Sequence, residues 1–395
     1  MALQRPRLKP SVRPTISKVS VVVQRLAPLI AVEAATLKTE TNLLEWMDLS
    51  TPTDRQLQEQ RRRRAAARAA ATYVSPMTTL ERMAIRDVTF KMYRVVANKF
   101  LAWMHERQVS WHDESTLDNA LCLYYDELFF RGASVEDGSK TFAAVKFALP
   151  TTSQKILPRS VKALQAWRRA APVRQRMPLP LGCLMAMLGV ILYRHNATNL
   201  ALKWLLMFHA YLRPGEADNL RTWQIVPPAQ HASSGAYGRW GLLLHPTEGA
   251  QPGKTGVWDE TILIDDASLY PYLEALTTTK TSTSCPWDTM GAAEIELFDE
   301  TIEALRLHAI APCRYSLRHG GVSHDLMSRG RSVEEAKRRG RWRSDTSLRR
   351  YAKESRALSE LRKVSPAVLE FGGAVQRQLH LLLRGSLRLA PPRLD

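Results

Sequence analysis

The sequence predicts a mainly α-helical chain, an all-α domain followed by a mixed α+β domain in which helices carry a small antiparallel sheet. Three observations lead there. Apolar residues return every three or four positions from about residue 77 to 211, and again from Ala293 onward. Thr78-x-x-Glu81 and Ser332-x-x-Glu335 have the spacing of capping boxes, in which a hydroxyl and a carboxylate satisfy the open N–H groups of a new helix. Between the helical stretches, 222–226, 240–244 and 261–264 are short apolar runs of strand length set apart by Gly and Pro.

The elements follow in order. Residues 1–76 read as a basic arm outside the packed domains. Its first 32 residues hold no acid but carry Arg5, Arg7, Lys9, Arg13, Lys18 and Arg25, a composition that also suits a transit peptide. Arg61–Arg64 fit an import signal, a phosphate-binding helix or a solvated face. The all-α domain is expected over 77–175. Its first helix carries the stripe Ile85, Val88, Met92, Val96, Phe100 and Trp103. A second helix is capped by Ser115-x-x-Asp118, shows Leu117, Leu121, Tyr125 and Leu128 on one face, and stops at Gly132. Pro150, Pro158 and Pro172 punctuate shorter helices. The second domain is expected over 176–365, with helices at 180–195 and 197–211 before the three strands. The tail, 366–395, holds an amphipathic segment at Leu379–Leu383, suited to packing on a neighbouring subunit or to a loose end.

Composition narrows the function. Lys and Arg number 56 against 38 Asp and Glu, a formal charge of +18. A surplus of that size calls for a polyanion, nucleic acid first and an anionic membrane second. The longest apolar stretch, Leu179–Tyr193, is closed by Arg194 and His195 and falls short of the roughly 20 residues of a membrane span. Four scattered cysteines without a C-x-x-C pair suit reduced thiols rather than zinc or a disulfide framework.

Four pieces of the second domain carry reactive side chains. In "MFHAYLRPGEADNLR" a helix ends at Arg213, with Glu216 placed to fix its fork, which suits a bidentate clamp on phosphate or an ordinary salt bridge. In "QPGKTGVWDETILI" Lys254 sits on a turn before a strand, able to reach into a groove or simply exposed. In "CRYSLRHGGVSHDLM" Arg318 stands beside His319, and Gly320-Gly321 costs a helix about 1 kcal/mol per residue, which a close backbone approach would explain. His319 and His324 have no companion Cys or carboxylate set that would make a metal site, so packed histidines are the plain alternative. In "RSVEEAKRRGRWRSDTSLRRYAK" eight basic residues lie between Arg331 and Arg350. A phenolate at Tyr351 would be stabilised in such company, although a core tyrosine beside a solvated basic face has the same sequence.

Taken together, the ordered set Arg213, Lys254, Tyr315-x-x-Arg318, Trp342 and Tyr351 resembles the tyrosine recombinase (phage-integrase-like) family. The resemblance covers about 180–355. "SLRHGGVSHDL" is similar to the family's second-arginine helix, and "GRWRSD…RRY" to the recombinases of DIRS-type retrotransposons and cryptons and to Cre, with Trp in place of the commoner His before the tyrosine.

The resemblance implies a division of labour. Arg213 and Arg318 would bind the scissile phosphate, and Trp342 would donate its indole N–H to it. Lys254 would protonate the departing 5′ oxygen. Tyr351 would attack phosphorus to give a 3′-phosphotyrosine, with no cofactor and no metal. Glu216 and His319 would support these groups. Tyr315 stands where the family usually has His, and a phenol is a poorer base at neutral pH. The partner implied is double-stranded DNA, clamped by the two domains, with a homotetramer on paired sites and the tail as the element exchanged between subunits. The expected location is the nucleus of a eukaryotic cell, otherwise the cytoplasm. The other functions open to this set are an inactive, domesticated DNA-binding copy and a type IB topoisomerase.

Overall fold

The structure, a computed structural model, describes residue 62 and residues 78–149, 157–172, 177–229, 238–249, 253, 256–345, 348 and 354–394. The expectations for the basic arm fall outside these residues, apart from Arg62. The chain divides into two compact units, Met1–Arg174 and Gln175–Asp395.

The first unit is all helical over its described residues: α1 (Thr79–Met83), α2 (Asp87–Glu106), α3 (Glu114–Phe130), α4 (Val135–Ala148) and α5 (Pro158–Ala170). Thr78 and Glu81 form the expected capping box, but α1 is short and a new helix starts after Arg86. That break rotates the apolar face of α2. Phe90, Ala97, Phe100, Trp103 and Met104 point inward, while Val88, placed in the stripe by spacing alone, is exposed. The cap of α3 also differs from the sequence reading. Asp113 caps it through Thr116. Asp118 is buried and instead accepts from the backbone N–H groups of Arg159 and Ser160, at 2.9 and 2.8 Å. It therefore caps α5, an N-terminus that its own Leu157 leaves without a side-chain cap. Gly132, at φ 73°, lies just past the end of α3, where left-handed backbone suits glycine.

The second unit is mostly helical. In order come α6 (Leu181–His195), α7 (Thr198–His209), α8 (Pro214–Asp218), β1 (Ile225–Val226), β2 (Gly241–Leu244), β3 (Glu260–Leu263), α9 (Tyr270–Thr279), α10 (Gly291–Ala304), α11 (Arg314–Met327), α12 (Val333–Arg339), α13 (Glu354–Leu361), α14 (Pro366–Arg377) and α15 (Leu379–Leu383). The sheet is antiparallel in the order β1-β2-β3, with Ile225 opposite Leu242 and Leu242 opposite Ile262. Those three side chains share the buried face. Helix α6 is apolar all round because it is enclosed all round: every residue from Cys183 to Leu192 is buried. No helix among the described residues is long and apolar enough to cross a membrane. The four cysteines are unbridged.

Two features position the site. The Gly320-Gly321 pair lets α11 touch the backbone around it. A Cβ on Gly321 would lie 1.9 Å from the Phe208 carbonyl oxygen, and one on Gly320 would lie 2.2 Å from that of Leu179. The second is an ion-pair group under α8. Lys203, fully buried, donates to Asp218 and Glu294 at 2.6 Å each, and Arg314 meets the same two carboxylates at 2.6 and 2.9 Å. Two cations balance two carboxylates, as burial of charge requires. Asp218 ends α8 and Arg314 begins α11, so the group ties these two elements together.

The tail packs on its own chain. Val368 and Val375 of α14 are fully buried in the same core cluster as α6, joined by Leu382 and Leu383 of α15. Both tail helices thus contribute to the core of the second unit.

Candidate functional site

The ends of α7, α11 and α12, the turn into α8 and the β2–β3 hairpin bring together five of the residues singled out in the sequence: Arg213, Glu216, Tyr315, Arg318 and Trp342. Glu216 is the hub. Pro214 starts α8 and Glu216 occupies its third position, so its carboxylate folds back to accept from the Arg213 backbone N–H at 2.7 Å. The same carboxylate accepts from Arg213 Nη1, and from Arg341 Nη2 at 2.5 Å. Arg318 Nη1 stands 3.8 Å away and His245 Nε2 3.7 Å away, both too far for a made hydrogen bond. Burial alone would raise the Glu216 pKa. The contacts with His245, Arg341 and Arg213 outweigh it and hold the carboxyl down at about 2.

Arg318 is fully enclosed. One Nη donates to the Tyr211 carbonyl, the other to the Gly340 carbonyl at 2.6 Å, and the Trp342 ring covers the guanidinium at 4.6 Å. Gly340 permits this cover, since a Cβ there would fall inside the Trp342 ring. Burial, then repulsion from Arg341 and Arg213, lowers the Arg318 pKa to about 10, still protonated at neutral pH. Arg213 is the more open arginine, its side chain 16 % exposed. Burial pulls its guanidinium down, but Glu216 and then the Tyr315 hydroxyl outweigh that and leave its pKa above the ordinary value. The Tyr315 ring meets His319 edge to face at 5.0 Å.

Sequence reasoning missed three members. Arg341 follows the Gly340 stop of α12 and was one basic residue among eight. Its side chain is 6 % exposed and lies between Glu216 and Glu260, with Nε 3.4 Å from Glu260 Oε2. Glu260 opens β3, where it reads as an ordinary strand residue. His245 follows β2. Tyr211, His245 and Arg341 all hold left-handed backbone, at φ 49°, 50° and 57°. Non-glycine residues seldom adopt that region, and such strain gathers where the surroundings enforce it.

A second network frames the site. Tyr211 donates its hydroxyl to Asp325, which Arg331 Nε also meets at 2.8 Å. Asp265, just past β3, takes Arg331 and Arg339, while Arg339 Nε donates to the His209 carbonyl at 2.7 Å. These bonds hold the entry and exit of α12 against α7 and the sheet.

Glu216, His245 and Glu260 bring three ligand atoms within 4.8 Å of one another. The set does not suit a divalent cation. Two carboxylates already face Arg213, Arg341 and Arg318, so a metal ion would add two charges to a buried positive surplus. An anion fits that surplus better.

Lys254 and Tyr351 lie outside the described residues. The backbone on either side of Lys254 is the β2–β3 hairpin, where Gly253 N–H bonds the Val257 carbonyl at 2.9 Å. Three residues before Tyr351 in the sequence, Leu348 is buried with Tyr211, Val322 and Ala336, a cluster against which Leu326 and Trp342 pack.

No protein-family profile matches the chain, and no curated protein matches it. Among solved structures it is similar to one titled "Crystal structure of XerA recombinase", with a TM-score of 0.32 and 13 % identity, over 72 % of this chain and 94 % of that chain.

Proposed function

We propose that the chain breaks and rejoins duplex DNA through a covalent 3′-phosphotyrosine bond to Tyr351. The observation that carries this reading is the convergence of Arg213, Tyr315 with Arg318, and Trp342, from three separate stretches of sequence, about one buried carboxylate. A compact set of fixed cations is what stabilises the extra charge of a pentacoordinate phosphorane.

In this reading Arg213 and Arg318 bind the non-bridging oxygens. Glu216 holds Arg213 in place before DNA arrives, and its charge keeps three arginines compatible in a small volume. Trp342 covers Arg318 and turns its indole N–H to the phosphate. Tyr315 hydrogen-bonds beside Arg213. Lys254, on the hairpin, gives its proton to the departing 5′ oxygen, and Tyr351 forms the new bond to phosphorus while the 5′ O–P bond breaks. The phosphotyrosine conserves the energy of the cleaved ester, so the reverse attack by a 5′ hydroxyl reseals the strand without ATP. The formal charge of +18 supplies the attraction for duplex DNA, so binding weakens steeply with salt.

One observation favours a second reading, a DNA-binding copy that no longer cleaves. The Arg318 guanidinium is wholly enclosed, with both Nη groups committed to carbonyl oxygens. The experiment that separates the two is incubation of the protein with a pool of nicked duplexes, followed by a denaturing gel. Cleavage gives a covalent adduct that Tyr351→Phe abolishes. Tight binding without any adduct supports the second reading, and sequence-independent relaxation of supercoiled plasmid supports a topoisomerase.

A further inference from the structure

His245 takes no part in the division of labour above. It follows β2 in left-handed backbone, and its Nε2 is buried with no hydrogen-bond partner among the described residues. Two carboxylates face that nitrogen. Glu216 Oε1 is 3.7 Å away, and Glu260, whose Oε2 is buried and without a hydrogen bond, brings a carboxylate oxygen within 4.8 Å of an imidazole nitrogen. The charged groups beside the imidazole are Glu216 on α8 and Glu260 on β3, which pair in turn with Arg213 before α8 and Arg341 after α12. Arg318 on α11 meets the same Glu216 at 3.8 Å. Asp259 lies next along the hairpin, its N–H bonded to the His245 carbonyl at 2.9 Å.

The geometry sets up a competition for one oxygen. Glu216 Oε1 is the atom that Arg213 Nη1 holds, and it is also the atom that His245 Nε2 approaches. A shift of about 1 Å would bring the imidazole to hydrogen-bond length. We propose that His245 is a positioning residue for Arg213: in its charged form its Nε2–H takes over Glu216 Oε1 and frees the Arg213 fork for a phosphodiester.

The charge count points the same way. With imidazole neutral, the two carboxylates face three arginines; with imidazolium they face four cations. The added charge favours an anion in the site, and by linkage a bound phosphate favours the charged imidazole. Binding then takes up a proton, so affinity rises as pH falls through the histidine range. The inference rests on the proposed function only in taking the anion to be a DNA phosphate.

The test is the affinity of the full chain for a short fluorescein-labelled duplex, read by fluorescence anisotropy at fixed ionic strength between about pH 8 and about pH 6. Wild type is compared with His245→Asn, Arg213→Ala and the double variant. Asparagine suits the left-handed backbone at 245 and does not titrate in this range, so the fold is kept. Thermal melts followed by circular dichroism check that it is. Other histidines contribute a background that the His245→Asn chain measures. The expected result is that wild type gains affinity over that background by about tenfold for each pKa unit by which phosphate shifts the imidazole. The gain is absent from His245→Asn and from Arg213→Ala, and the double variant is no different from either single one in its pH dependence. Identical profiles in wild type and His245→Asn overturn the role of His245 and leave the DNA reading intact. A gain that survives in Arg213→Ala overturns the coupling to that arginine. Failure of the wild type to bind duplex at any pH overturns the proposed function itself.

Discussion

Replacing Glu216 by Gln keeps the size of the hub and removes its charge. The carboxylate accepts from Arg213 N, Arg213 Nη1 and Arg341 Nη2, and its side chain is only 4 % exposed. An amide has one accepting oxygen, and its NH2 group would face an arginine donor. The depression of the Glu216 pKa from 4.5 to about 2 sizes the loss. At about 1.4 kcal/mol per pKa unit it corresponds to about 3 kcal/mol, within the usual cost of breaking a buried ion pair. The sign is fixed by the direction of the shift. A carboxyl held below its unfolded value stabilises the fold above that value, and the contribution fades as pH falls from about 4.5 toward about 2. Urea unfolding of the second unit, followed by tryptophan fluorescence, should show Glu216→Gln less stable by about 3 kcal/mol at neutral pH. The gap should narrow as the medium is acidified below about pH 4.5. Equal stabilities at neutral pH, or a gap that acid leaves unchanged, would refute the picture of Glu216 as the charge that holds the arginines together.

Four further outcomes follow from the packing. Gly321→Ala would place a methyl 1.9 Å from the Phe208 carbonyl oxygen, so despite the better helix propensity of alanine it should destabilise the second unit by about 2 kcal/mol in the same urea assay. Lys203→Met removes one of the two cations shared by Asp218 and Glu294 and leaves Glu294, fully buried, with less compensation; a loss of about 3 kcal/mol is expected, and a neutral result would mean that Arg314 suffices alone. Phe371→Ala empties the contact of α14 with its own domain and should cost about 3 kcal/mol. With the tail docked in cis, melting of the wild type should not depend on protein concentration; a midpoint that rises with concentration would instead mark the tail as exchanged between chains.

Much of the architecture was legible because its signals are local. The all-round apolar run of α6, the strand-length runs at 240–244 and 261–264 that hold β2 and most of β3, and the capping boxes at Thr78 and Ser332 are set by residues within a few positions of one another. The Gly320-Gly321 pair signals a close approach on its own, and the structure supplies the partners, Leu179 and Phe208. Local reading failed where a side chain serves a distant element. Asp118 has the spacing of a cap for its own helix, yet it caps α5, some 40 residues on. Val88 has the period of a core residue, but the helix break at 84–86 turns it outward. The site shows the same division. Arg213 and Glu216 are three apart and form the expected pair. Arg341, His245 and Glu260 join it only through the chain's long-range path, and nothing at their own positions distinguishes a hub arginine from a solvated one. The enclosure of Arg318 by Trp342 and by the carbonyls of Tyr211 and Gly340 was likewise invisible in the sequence, because backbone acceptors carry no residue signature.

The central claim is a covalent bond between DNA and Tyr351. The direct measurement uses full-length protein and a pool of randomised duplexes, each carrying a nick that traps the cleaved strand, resolved on a denaturing gel with and without a metal chelator. The account predicts a protein–DNA adduct in the wild type that the chelator leaves unchanged and that Tyr351→Phe eliminates while duplex binding persists. An adduct that survives in Tyr351→Phe, or tight duplex binding by the wild type with no adduct at all, would contradict it.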